Sequence, residues 1–145
     1  MRHRLLEEIE GRRRFVLALE VGEEAVETIT AFAAEHNLCG ASLTGIGAFS
    51  HSQLGYFNPA TEEFVQNDVD EQTEVLSMIG NIAQEGESDH HLHVHVVLGC
   101  RDASTRGGHL VAGWVRPTLE IILEESPEHL QRGMDKKTGL VLLQP

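Results

Sequence analysis

The sequence predicts an α+β fold: a mainly antiparallel, curved β-sheet with one principal helix near the N-terminus. Three observations predict it. A single stretch, Val21 to about His36, carries helical periodicity. About seven later segments rich in Val, Ile and Leu read as strands. Only the first strand–helix–strand passage offers a parallel crossover, so the later strands are expected to pair antiparallel.

Each element has its own justification. Phe15–Leu19 is a short apolar run that reads as a buried strand. In the helix that follows, Glu23, Glu24 and Glu27 favour the first turns through the helix dipole, and Val26, Ile29, Phe32 and Ala33 recur on one face. Asn37 is the stop signal. Ala41–Phe49 and His51–Phe57 read as two strands, and Asn58-Pro59-Ala60-Thr61 is a hairpin turn into Glu62–Gln66. Glu74–Ala83, Leu92–Gly99, His109–Val115 and Thr118–Glu124 follow as strands, and Gly139–Leu143 is the last. Glycines inside strand patterns suggest bulges or close backbone approaches. No repeat or Pro/Ser-rich linker divides the chain, so residues 1–145 are read as one domain.

Composition narrows the function. The 145 residues carry 11 Lys+Arg against 23 Asp+Glu, a formal net charge of −12. Arg2, Arg4, Arg12, Arg13 and Arg14 open the chain, and no Lys or Arg then occurs between Phe15 and Cys100. Nucleic-acid affinity comes mainly from cations that displace phosphate counterions, so most of this chain repels DNA. The acidic surface reads instead as a solubility feature. No apolar run approaches the roughly 20 residues that cross a bilayer, and the opening segment has no signal-peptide h-region. Cys39 and Cys100 are the only cysteines. Together these features give the expectation of a cytoplasmic protein with no membrane partner.

The informative excess is histidine. Five of the nine fall at His90, His91, His93, His95 and His109. In an extended chain, residues i and i+2 share a face, about 7 Å apart at ~3.3 Å rise per residue. His91, His93 and His95 therefore line one face while Leu92, Val94 and Val96 enter the core. A loop spanning Gly99–Gly108 returns His109 beside His95, and Gly107-Gly108 removes side-chain bulk there. The pattern also fits the wet face of an amphipathic strand. A third histidine after a Gly-Gly turn favours a divalent metal site, with zinc first and nickel, cobalt or iron open, because imidazole suits all of them. Three ligands leave one position open, which points to a ligand-binding or catalytic site rather than a closed structural one.

Other residues carry less. Glu120, in Pro117-Thr118-Leu119-Glu120, is the candidate catalytic group, able to hold a ligand histidine or to shuttle a proton for water activated at a metal; it also fits an outward residue on an alternating strand. Gly45-Ile46-Gly47 lacks the third glycine of a phosphate loop and reads as packing or a bulge. Cys100 reads as an inert small residue, and no Gly-x-Ser-x-Gly elbow supports a serine hydrolase.

Several segments together resemble a known family. Thr44-Gly-Ile-Gly-Ala-Phe49, Leu54-Gly-Tyr-Phe57, Glu74-Val-Leu-Ser-Met-Ile-Gly-Asn-Ile82, His93-Val-His-Val-Val-Leu98, Gly107-Gly-His-Leu110 and Pro117-Thr-Leu-Glu120 are similar, in order and at matching intervals, to the PPC (plants and prokaryotes conserved) domain. The resemblance implies an α+β domain with an antiparallel sheet and a homotrimeric assembly. It further implies that the histidine triad of prokaryotic members falls on His93, His95 and His109, with His91 an extra residue on the same face. Single-domain members are described as predicted DNA-binding proteins, and plant members bind DNA through AT-hooks, which Gly11-Arg12-Arg13-Arg14 does not match.

Two hypotheses follow. The first is a metal-binding homotrimer with a small-molecule ligand or substrate at the histidines. The second is a DNA-associated or protein-interaction module in which the histidines are structural. Whether the chain is an enzyme is left open.

Overall fold

A computed structural model of the chain describes residues 1–86 and 89–144. β1 (Arg2–Ile9) and β2 (Arg12–Leu19) form a hairpin that turns at Glu10 and Gly11, both at positive φ. β2 alternates as a half-buried strand should, with Phe15, Leu17 and Leu19 in the core. β1 was not expected from the sequence. Every one of its residues is exposed, so no buried period-two signal marks it; only its ladder to β2 does.

The helix α1 (Ala25–Glu35) starts later than its periodicity suggests. Glu24 is the N-cap: its backbone is extended and its carboxylate accepts from the amides of Val26 and Glu27. Glu23 and Glu24 thus lie ahead of the first turn instead of within it. Ile29, Phe32 and Ala33 are buried, and His36 caps the C-terminus before Asn37 at φ 52°.

Where two strands are expected, one long strand, β3 (Gly40–Asn58), runs unbroken through register shifts between Gly45 and Gly47 and around Phe49. Gly47 is required by close approach: a Cβ there would sit 2.3 Å from the Thr118 carbonyl oxygen. Gly45-Ile46-Gly47 is therefore a bulge. The expected hairpin leads into β4 (Glu63–Val69), followed by β5 (Thr73–Glu85) and β6 (Asp89–Gly99). β7 (Thr105–Glu125) merges the two strands expected after the histidines and passes through a cis Arg116–Pro117 peptide. It begins before His109, so that residue lies inside the strand rather than opening it. β8 (Gln131–Met134) and β9 (Val141–Gln144) form a terminal hairpin, of which the sequence suggests only the second strand.

The sheet is mixed and mostly antiparallel, and its curvature goes to closure. β3 pairs with β5, β5 with β6, β6 with β7, and β7 with β3 again. Side chains from this ring, from β2 and from α1 build the core, with Phe49, Met78, Ile82, Val94, Leu98 and Leu119 among its members. The expected parallel crossover is looser than anticipated. β2 and β3 are each antiparallel to β7, which lies between them, so they run in the same direction without touching. Parallel pairing among the described residues joins β5 to β8 at Gln84–Gln131 and Glu85–Arg132. No helix among the described residues is long and apolar enough to cross a membrane.

Candidate metal centre

Strand register brings the three histidines together. Leu92, Val94 and Val96 are buried on β6, so the intervening His91, His93 and His95 face the other way. His109 of β7 is the direct partner of His95 across the ladder. Two glycines permit this packing. A Cβ at Gly80, opposite Val94, would sit 2.3 Å from the His93 carbonyl oxygen, and one at Gly108 would sit 2.9 Å from the Gly55 carbonyl oxygen. Larger residues would push β6 and β7 from the positions that set the triad.

His93, His95 and His109 each offer a ring nitrogen, and these nitrogens all lie within 4.8 Å of one another. The Nε2 atoms of His93 and His95 are 3.2 Å apart. Two nitrogens bound tetrahedrally to one zinc at ~2.0–2.1 Å are separated by about 3.4 Å, so the donor set fits such an ion. The ring centroids are 5.1 to 5.5 Å apart with differing ring planes, which aims the nitrogens inward without stacking the imidazoles.

The electrostatics suit metal binding as well. Burial, followed by the charges of Arg132 and the other histidines, pushes His93 down to about 4. Burial and the neighbouring imidazoles and Arg132 also hold His109 below its ordinary value. At neutral pH both rings are therefore uncharged, each keeping one N–H and offering the lone pair of its other ring nitrogen.

The triad lines a cavity of about 600 Å³. Tyr56, Phe57 and Phe64 form an aromatic wall, with the Phe64 ring 5.9 Å from His109. Arg132 and the apolar Leu140 and Leu142 from the terminal hairpin line the cavity as well. Arg132 is only 7% exposed, and its Nη2 donates to Asn81 Oδ1 at 2.7 Å. Asn81 is the cross-strand partner of His93, so the guanidinium is held beside the triad. The sequence gives no signal for this arginine. It lies on a four-residue strand without alternation and far along the chain from the histidines.

The other candidates are placed elsewhere. His91 lines the cavity but does not join the cluster; its Nδ1 lies 3.4 Å from Glu85 Oε2. Glu120 is exposed beside Ile46 and lines a separate hollow of about 400 Å³ on the outer face. Cys100 lies in the turn after β6, where its amide donates to Ser104, and Cys39 and Cys100 are both free thiols.

Residues 7–127 match the Plants and Prokaryotes Conserved (PCC) domain. This chain belongs to the PCC domain family. Among solved structures, the PCC chain is similar to a metal-containing protein from Archaeoglobus fulgidus, at 32% identity and TM-score 0.84 over 91% of this chain and 93% of that one. It is similar to a plant- and prokaryote-conserved protein from Pyrococcus horikoshii, at 30% identity and TM-score 0.85 over 92% of each chain. A "putative DNA binding protein" from Bacteroides thetaiotaomicron matches at 27% identity and TM-score 0.87, over 95% and 94% of the two chains. No curated protein matches the chain. The PCC match ends at residue 127, so Arg132, Leu140 and Leu142 enter the cavity from beyond it.

Proposed function

We propose that this PCC domain binds a divalent metal, zinc, on His93, His95 and His109 and presents it to a small molecule in the adjoining cavity. The observation that carries this reading is the convergence of three ring nitrogens within 4.8 Å at the wall of a cavity of about 600 Å³. Three protein ligands leave a position for an outside donor, and a bound divalent ion would polarise a ligand oxygen there as a Lewis acid. The chain's own residues supply the rest: neutral imidazoles to hold the ion, aromatic rings to exclude water, and Arg132 as a fixed positive charge. The metal-containing relative from Archaeoglobus fulgidus supports the same reading. Metal content of tag-free protein is the test. Stoichiometric zinc in the wild type and its loss in a His93→Ala/His109→Ala variant are expected; a wild type without stoichiometric metal overturns the reading.

The proposed assembly is a homotrimer, working in a reducing cytoplasm as its two free thiols suggest. Ile46, Leu76 and Ile79 are 60%, 54% and 57% exposed and border the outer hollow together with Ile122. An apolar face of this kind marks an interaction surface. Sedimentation equilibrium is expected to give three times the chain mass, and Ile79→Lys to give monomers. Within one chain Glu120 lies on that outer face, apart from the histidines, so its proton-shuttling role requires a neighbouring copy. DNA binding is the weaker reading. Arg13 forms a two-pronged pair with Glu125 and Arg14 pairs with Glu124 at 2.9 Å, so much of the N-terminal positive charge is already neutralised.

A further inference from the structure

We propose that the histidine cavity binds a small organic anion whose carboxylate or phosphate is gripped by Arg132. This deepens the metal reading and rests on it for the second point of attachment. The side chain is buried, yet it pairs with no carboxylate among the described residues. Its two hydrogen bonds go to neutral oxygens, Asn81 Oδ1 at 2.7 Å and the Val141 carbonyl at 3.3 Å, and its Nε is buried with no partner. A guanidinium has five N–H donors in a fixed fork, and burying it without an opposing charge is costly. An oxyanion arriving through the cavity supplies that charge in the geometry the fork prefers.

The rest of the cavity agrees. In a chain with a net charge of −12, no Asp or Glu among the described residues lines it. Among the described residues, Glu85 faces His91 and reaches Arg132 only through space, without a hydrogen bond to it. A dication on the triad and the fixed charge of Arg132 would make this an electropositive hollow inside an acidic protein. Tyr56, Phe57, Phe64, Leu140 and Leu142 in the lining give the ligand an apolar flank. The occupant is therefore an anion with an apolar or aromatic body, small enough for about 600 Å³. Arg132 lies beyond the PCC match, so the terminal hairpin supplies this contact.

The test titrates benzoate, phenyl phosphate and neutral benzamide into the wild type, Arg132→Met and Arg132→Gln, by calorimetry, with both metal-free and zinc-loaded chains. Thermal melts identify any variant that fails to fold, and the second variant then decides. In the wild type, one of the two anions is expected to bind at least tenfold more tightly than benzamide, and whether it is benzoate or phenyl phosphate names the headgroup. A folded Arg132 variant is expected to lose at least tenfold in anion affinity with benzamide unchanged, and to keep its zinc. Equal binding of anion and benzamide, or anion affinity unchanged in a folded variant, overturns the proposal. A wild type that takes no zinc but still binds the anion through Arg132 removes the metal reading alone. Zinc bound at the triad without anion preference removes this proposal alone.

Discussion

The two walls of the cavity are built by different means. The histidine wall stands on β6 and β7, paired strands of the closed ring, and its side chains are positioned by backbone ladders and a buried apolar face behind them. The arginine wall stands on the β8–β9 hairpin. That hairpin meets the ring through a two-residue parallel pairing with β5 and through the hydrogen bond from Arg132 to Asn81. The contrast teaches that the histidine half of the cavity is fixed by the core of the closed ring, while the arginine half is added by a short terminal hairpin.

The largest expected effect tests the first wall. Replacing His93 and His109 with alanine removes two of three donors, so zinc affinity should fall by more than the roughly 10–100-fold typical of outer-shell changes. Competition with a chromophoric chelator measures it, and a smaller loss would place the ion elsewhere. Next is the backbone that aims the triad. Gly80→Ala puts a Cβ 2.3 Å from the His93 carbonyl, and the forced separation of β5 and β6 is expected to cost about 1–3 kcal/mol in urea unfolding. Unchanged stability would show that the close approach is not needed.

A third expectation concerns pH in the metal-free chain. His93 titrates near 4 when folded against 6.5 for an unperturbed histidine, so the unfolded state holds more protons between those values. Stability should therefore fall as pH drops through that window, and His93→Gln should flatten the slope. A wild-type slope no steeper than that of the variant would contradict the buried, neutral imidazole. The smallest effect is a control away from the cavity. Glu125→Gln weakens the pair with Arg13, which should cost about 1 kcal/mol or less while leaving zinc affinity unchanged. A shift in zinc affinity would mean that the cavity is coupled to the contact between β2 and β7.

Legibility in the sequence follows the same division between walls. Buried strands announce themselves by alternation, so Leu92, Val94 and Val96 revealed β6 and hence the face that carries His93 and His95. Spacing left His91 on equal terms with them. Its proximity to Glu85 and the pairing of His95 with His109 separate it only once the register is known. Closure of the sheet was not legible, because it depends on which distant strands pair rather than on any local period. β1 and β8 were missed for a related reason: the first buries no residue, and the second spans four residues with one buried, the arginine itself. Glu120 reads in the sequence as an acid able to hold a ligand histidine or as an outward residue on an alternating strand. The register of β7 against β3 places it beside Ile46, while His109 sits beside Gly55.

The central claim is most directly tested by anomalous diffraction at the zinc edge on crystals of tag-free protein. The expected result is a single strong peak about 2.0–2.1 Å from ring nitrogens of His93, His95 and His109. A peak at other residues, or none at the triad in zinc-supplemented crystals, would contradict it.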